Sequence, residues 1–338
     1  MAVMPLRPGR TVTGNGRPGP ARPLLSVVLP AHNEAETIGA TLERLAAVET
    51  RLAGPLELIV VSDGSVDATF EQARDGLRRR GLEGQVVELA TNAGSHAAIR
   101  CGLRHANGEF VAIMAADGQD PPEALPTMLE RFDPKLDVVW GRRERREDGI
   151  GVRLAAATFY RLFRLLAGLD YPPSGLDFLV VRRRVVQAVL ERSTRNASLF
   201  LVIYNLGFAQ GFSDYDRGAR VGGRSSWTLR KRIKLGVDML TGCSAAPIRL
   251  ASLAGVVAGL IGIAAGGVTL VRALAGDVHE PGWASLMVIS SVMSGFVLVA
   301  VGFLGEYVWR ILDEVRGAPQ FIEARHQHVT ADASPEDS

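Results

Sequence analysis

Cysteine is nearly missing from this 338-residue chain: Cys101 and Cys243 stand far apart, without metal-ligand spacing between them. Such sparse usage excludes a disulfide-built secreted scaffold and fits a reducing, cytosol-facing environment. Net charge is also small, a formal +2. That balance gives no argument for a nucleic-acid partner, although arginines cluster locally. Residues 1–23 lack any apolar run and are rich in Pro, Gly and Arg. They exclude a secretory signal and are read as a disordered basic leader. What the chain has in quantity is apolar residues, 47% of the total, with the excess concentrated late. Its length allows one large or two modest domains.

The stretch from Phe110 to Glu123 (FVAIMAADGQDPPE) organises the rest. Phe110, Val111, Ile113 and Met114 read as a buried strand. It stops at small residues, then Asp117, Gln119 and Asp120, then two prolines that can open a helix but not continue a strand. Oxygen-bearing side chains thus stand just past the carboxyl end of a strand, where open α/β sheets hold ligands. Oxygen ligands on a turn suit Mg²⁺ or Mn²⁺ beside a substrate phosphate, and capping of the next helix is the plainer use of the same carboxylates.

Upstream, the pattern repeats. Leu24–Leu29 reads as a strand ending at Pro30, with Asn33 and Glu34 on the loop before a helix reaching about Ala47. Leu56–Val61 is a second strand, ending in the turn Asp63-Gly64-Ser65, with Asp67 placed to cap a helix. Gln85–Leu89 is a third, ending at Thr91, Asn92, Ala93 and Gly94 before a helix from about Ser95 to Ala106. Strands alternating with helices predict a mostly parallel sheet covered on both faces. Four polar strand ends can converge on one crevice suited to a nucleotide.

The segments PAHNEAETI, VVSDGSVDAT, TNAGSHAAIRCGLRHANGEF and ADGQDPPE, in this order, resemble a family 2 glycosyltransferase of GT-A fold. The resemblance is greatest to the polyprenyl-phosphate glycosyltransferases, the group of dolichyl-phosphate mannose synthase, and NAGSHAAI is most like the bacterial aminoarabinose branch. It runs from about Leu25 to Ala324. Two departures stand out: Ser62 precedes Asp63 where the family usually has a second Asp, and Ala115 stands where it usually has the first Asp of Asp-Ala-Asp. By this resemblance Asp117 and Gln119 are metal ligands for Mg²⁺ or Mn²⁺. Pro30, Asn33, Glu34, Asp63, Gly64, Asn92, Asp117, Arg220 and Ser225 are donor-binding residues. Asp117, Arg142 and Arg220 carry catalysis.

On the acceptor side, Arg142 follows a strand over Leu136–Val139, and a guanidinium makes paired bonds to phosphate oxygens. The resemblance assigns Arg142, Arg153 and Asp177 to the lipid phosphate, with Ala157 departing from a frequent serine. Arg220, Gly223, Ser225 and Trp227 match an Arg-x-x-Gly-x-Ser-x-aromatic motif whose loop would fold over the donor diphosphate.

Leu229–Leu240 interleaves basic and apolar residues, as a helix lying on an anionic membrane surface would. Residues 250–270 and 284–304 are two apolar runs near the ~20 residues that span a bilayer. Their small residues permit close packing and self-association into a homo-oligomer. Arginines and lysines flank the pair while the connection holds one Arg, which places the catalytic domain and both termini in the cytoplasm and makes a multi-pass inner (plasma) membrane protein. The expected organisation is a leader at 1–23, a GT-A domain at 24–228, a juxtamembrane segment at 229–248, two spans within 249–306, and an exit helix and tail at 307–338.

The resemblance implies transfer of a sugar from a nucleotide-diphosphate sugar, with UDP expected, to a polyprenyl phosphate, with undecaprenyl phosphate expected, for envelope modification. A phosphate oxygen attacks directly and inverts the anomeric carbon, so no histidine is essential; His32, His96 and His105 are read as loop or helix-surface residues. Two alternatives stay open. One is the same fold with a polysaccharide or protein acceptor, although the Gln-x-x-Arg-Trp motif of processive synthases is missing. The other is a catalytically impaired scaffold or regulatory subunit, motivated by Ser62 and Ala115.

Overall fold

The computed structural model describes residues 22–143, 161, 177–192, 198–215, 246–275, 282–317 and 319–330. Four parallel strands form its centre: β1 (Leu25–Ala31), β2 (Leu56–Ser62), β3 (Gly84–Leu89) and β4 (Phe110–Ile113). The helices α1 (Ile38–Glu49), α2 (Thr69–Arg80) and α3 (Ser95–His105) connect them. A 3-10 turn (Pro122–Ala124) and α4 (Leu125–Glu130) then lead to β5 (Val138–Arg143). Next come β6 (Leu179–Arg182), α5 (Arg183–Arg192), α6 (Leu199–Asn205) and β7 (Gln210–Tyr215). The long helices α7 (Ala246–Leu274) and α8 (Trp283–Val315) precede a last strand, β8 (Glu323–Val329).

The eight strands make one sheet in the order β7-β5-β6-β4-β1-β2-β3-β8. β6 runs antiparallel to both β4 and β5, and β8 antiparallel to β3; the other pairs are parallel. Central strands read as unbroken apolar runs because both faces are covered. Val27, Leu29, Leu58 and Val60 pack toward Leu42 and Leu45 of α1 and Phe70 and Leu77 of α2. Their neighbours Val28, Ile59 and Val61 pack the opposite way, with Ala98, Ile99 and Leu103 of α3 and Val185 and Val189 of α5. The mixed, mostly parallel sheet is the GT-A architecture that the resemblance implied.

Two features depart from expectation. Residues 323–329 are not a trailing tail. They pair with β3 along its whole length and close that edge of the sheet, with Val329 buried. Five of its seven side chains are exposed, which hid this strand, since an edge strand needs no apolar face to gain its ladder bonds. Second, α7 and α8 pack on each other and expose apolar side chains such as Leu260, Ile263, Leu298 and Val315. Among the described residues one helix is long and apolar enough to cross a membrane, Val292–Val315, and it lies later than the run at 284–304. Val308, Trp309, Ile311 and Leu312 carry the apolar pattern onward. The apolar part of α7, Leu253–Val268, is shorter.

Candidate active site

Register brings the polar ends together. Ala31 pairs with Ser62, and Ser62 with Glu88, so β1, β2 and β3 finish side by side. β4 runs with β1 and finishes at Ile113 beside Val28. Because β6 is antiparallel to β4, Asp177 and Phe178 lie at this same edge, where the Gly141 amide donates to the Phe178 carbonyl. β5 and β7 also finish here, with Arg142 opposite Asp214. β8 enters the sheet at this edge as well, and the Ala90 amide donates to the Ile322 carbonyl. All four predicted polar strand ends therefore share one edge of the sheet, the candidate crevice, with the acceptor-side residues Arg142 and Asp177.

The first three loops form a hydrogen-bonded unit. Asp63 is buried, and its two carboxylate oxygens accept from the Ala93 and Gly94 amides at 2.7 and 2.9 Å. Gly64, at φ 56°, lies against the backbone of Thr91 and Asn92. Asn33 is the one non-glycine residue with positive φ, 56°, among the described residues. Its side-chain oxygen accepts from the Val66 amide at 2.9 Å and its own amide donates to Ser65 Oγ at 3.2 Å. Asparagine tolerates that conformation better than most residues. Ser62, in place of the family's carboxylate, donates its hydroxyl to Ser65 at 2.9 Å. Glu34 turns back on its own helix start and accepts from the Thr37 hydroxyl at 2.5 Å. Pro30, one residue before the end of β1, lies opposite Val61.

His32 is the hub that sequence reading passed over. Its Nδ1 sits 2.8 Å from the Asp63 carbonyl, an acceptor only, so that nitrogen carries the proton. Its Nε2 then accepts from the side-chain amides of Asn92 at 3.1 Å and Asn33 at 3.3 Å. One imidazole thus ties three loops; its position between Pro30 and Asn33 was the available signal. His96 differs from its surface reading. Its ring packs edge-on to Phe200 at 5.6 Å, and burial pushes its pKa down to about 4, keeping it neutral.

At the fourth strand end, Asp117 Oδ1 accepts from the Gln119 amide at 3.1 Å, and Gly118 between them has φ 73°. Among the described residues neither Asp117 Oδ2 nor the Gln119 side-chain amide has a hydrogen-bond partner. Two half-buried oxygen donors two residues apart suit a hard divalent cation. Asp120, the third oxygen-bearing side chain of that stretch, is buried and structural: it accepts from the Ala115 amide at 3.0 Å and the Tyr215 hydroxyl at 3.2 Å. Arg44 of α1 clamps the turn, donating to the Gly118 carbonyl at 3.0 Å while holding Glu123 by two bonds of 2.9 and 2.7 Å. No local pattern on α1 marks Arg44, because its partners lie far along the chain.

Arg142 stands exposed at the end of β5, paired with Asp214 by two bonds of 2.5 and 2.9 Å. That carboxylate holds the guanidinium's pKa further above its already high value, and Arg142 in turn lowers Asp214. Its fork is therefore oriented before any ligand arrives. Asp177 is exposed, two residues before β6. Arg153, Arg220, Gly223, Ser225, Trp227 and the amphipathic stretch 229–240 lie outside the described residues.

Residues 26–187 match the family described as Glycosyl transferase family 2. The glycosyltransferase YkcC of Bacillus subtilis is 33% identical over 88% of this chain and 92% of its own length. The undecaprenyl-phosphate 4-deoxy-4-formamido-L-arabinose transferase of Klebsiella pneumoniae subsp. pneumoniae is 30% identical over 93% of this chain and 96% of its own. Among solved structures, glucosyl-3-phosphoglycerate synthase of Mycobacterium tuberculosis is similar at 20% identity and a TM-score of 0.46, over 65% of this chain and 77% of that one. With near full-length relatives at this identity and a crevice built from the motif-bearing loops, the chain belongs to glycosyl transferase family 2, in the group that holds the undecaprenyl-phosphate sugar transferases.

Proposed function

We propose that this glycosyltransferase moves a sugar from a UDP-sugar to undecaprenyl phosphate at a membrane surface. The observation that carries the reading is the convergence of the Asp117–Gln119 turn, the Asp63 loop unit and Arg142 on the edge where the chain returns from its apolar helix. Only residues 316–322 separate α8 from β8. A lipid-borne acceptor needs such closeness, because its tail stays in the bilayer while its phosphate reaches the crevice. Relatives named for undecaprenyl phosphate support the acceptor.

The nucleoside lies across the β1, β2 and β3 ends, on the surface made by Pro30, Asn33, Glu34, Asp63, Gly64 and Asn92. Asp63 acts there by fixing the loop rather than by reaching the base with an uncommitted oxygen. Asp117 and Gln119 would hold Mg²⁺ or Mn²⁺, which would supply positive charge opposite the diphosphate. Arg220 and Ser225 close over the same diphosphate. Arg142, with Arg153 and Asp177, orients the acceptor phosphate. Preordered by Asp214, the Arg142 fork can present two parallel N–H groups to phosphate oxygens. The acceptor oxygen is already anionic near neutral pH, so it attacks without a strong general base, and the protein's contribution is placement and charge neutralisation. Attack opposite the leaving diphosphate inverts the anomeric carbon. The chain spans the membrane twice with both termini cytoplasmic, α7 and α8 forming the hairpin, and self-associates through its small-residue faces.

The test is a transfer assay on the full chain in nanodiscs, with undecaprenyl phosphate, radiolabelled UDP- and GDP-sugars, and Mn²⁺ or Mg²⁺ against a chelator. A metal-dependent lipid-linked sugar, lost in Asp117→Ala, supports the reading. Nucleotide binding with no product from any donor refutes it and favours the impaired scaffold suggested by Ser62 and Ala115.

A further inference from the structure

Away from the crevice, α3 and β8 bring together side chains that are far apart in sequence. Cys101 and His105 stand four residues apart on α3 and so project from one helix face. On β8 the pairing with β3 shifts register at Glu88 and Leu89, setting Leu89 against Glu323 and Val87 against His326. Leu89 and Val87 both belong to the core layer beneath α3. The irregularity therefore turns Glu323 and His326, three residues apart, toward the same helix.

The donors already converge. Cys101 Sγ lies 3.5 Å from Glu323 Oε1, and His105 Nε2 lies 3.0 Å from that same oxygen. One donor atom from each of the three falls within 4.8 Å of the other two. The His326 ring is 4.5 Å from that of His105, with His328 a further 4.6 Å along. Zinc bond lengths of about 2.3 Å to sulfur and about 2.0–2.1 Å to nitrogen and oxygen set tetrahedral edges of about 3.6 Å for S to O and about 3.3 Å for N to O. The observed 3.5 and 3.0 Å lie close to both edges, so a cation fits among these three donors once their remaining separation, within 4.8 Å, tightens.

We propose that Cys101, His105 and Glu323, closed by His326 once its Nε2 leaves the Gln85 side-chain oxygen that it meets at 3.0 Å, form a structural zinc site that fastens β8 to α3. A thiolate with imidazole and carboxylate selects zinc over the hard cations that the oxygen-only Asp117 turn prefers. On binding, the Cys101 thiol gives its proton to solvent. The site has a mechanical consequence. The α3 helix starts at the loop whose amides bond Asp63, and β8 follows α8, so the cation couples the apolar helix to the donor crevice. Neighbouring contacts already run along the same seam: Arg100 donates to Gln320 at 2.5 Å, and Arg104 lies over the Phe321 ring at 4.9 Å.

The experiment uses the full chain in detergent, in an Asp117→Ala background that removes the crevice cation site. Chelator-stripped protein is loaded with zinc or cobalt, desalted and measured for metal content and absorption. One zinc per chain, with a thiolate-to-cobalt charge-transfer band in the near ultraviolet, is the expected result. Cys101→Ser should abolish the band and weaken zinc binding by at least the roughly 10–100-fold that an outer-shell loss costs. Glu323→Gln, at an exposed position that cannot unfold the core, should weaken it likewise. Failure to retain zinc, a band missing from the parent, or unchanged affinity in both variants would overturn the proposal.

Discussion

Replacing Gly64 by alanine tests whether the donor crevice depends on backbone-to-backbone contact between its loops. A Cβ on Gly64 would lie 2.4 Å from the Asn92 amide nitrogen and 2.4 Å from the Thr91 carbonyl carbon. These atoms cannot swing aside like a side-chain end, because the adjoining Ala93 and Gly94 amides are bonded to Asp63. Gly81, at the end of α2, is the matched control: its φ of 61° is nearly that of Gly64, and nothing lies within 4 Å of its Cβ position. Alanine in the left-handed conformation costs about 1–2 kcal/mol at either site. Only at Gly64 is there added overpacking, typically about 1–3 kcal/mol. The expected loss is therefore about 2–5 kcal/mol for Gly64→Ala against about 1–2 kcal/mol for Gly81→Ala. Equilibrium urea unfolding in mild detergent, followed by circular dichroism, measures both, and donor KM should rise in Gly64→Ala alone. Equal destabilisation, within about 0.5 kcal/mol, with unchanged donor KM would refute the loop-contact reasoning.

Asp117→Asn should reduce transfer by more than tenfold (roughly 1.4 kcal/mol or more of transition-state stabilisation), with partial recovery at raised Mn²⁺; full activity at unchanged metal concentration would remove Asp117 from the metal site. Arg142→Lys keeps the charge but loses the paired fork, so KM for the polyprenyl phosphate should rise while donor KM holds; the reverse pattern would place Arg142 on the donor. Because burial holds His96 near pKa 4 while an unfolded histidine titrates near about 6.5, the unfolded state takes up the proton first as pH falls. Stability should therefore drop across the window from about pH 6.5 down to about 4, by up to ~3 kcal/mol, and His96→Phe should flatten that slope; an unaltered slope would contradict it. Deleting residues 323–338 should expose the β3 edge and lower solubility of the full-length protein, read by size-exclusion chromatography; an unchanged monodisperse profile would argue that β8 is dispensable.

Much of this protein is decided along the chain. Apolar runs ending in Asn33, Asp63, Asn92 and Asp117 dictate strands with polar carboxyl ends, because buried parallel strands must be apolar on both faces. The same local logic marks the turn Asp117-Gly118-Gln119 and the long apolar stretches near the carboxyl end. Tertiary structure decided the rest, wherever a partner is distant in sequence. Asp63 reads as an uncommitted donor ligand until the Ala93 and Gly94 amides are folded onto it, and Arg142 as a lone phosphate grip until β7 brings Asp214 beside it. The strand at 323–329 has too little apolar character to announce itself and exists because β3 offers an unpaired edge. Cys101 reads as an isolated thiol because its neighbour Glu323 arrives only when that strand docks. Periodicity records which face a residue shows; only the closed sheet fixes what it meets there.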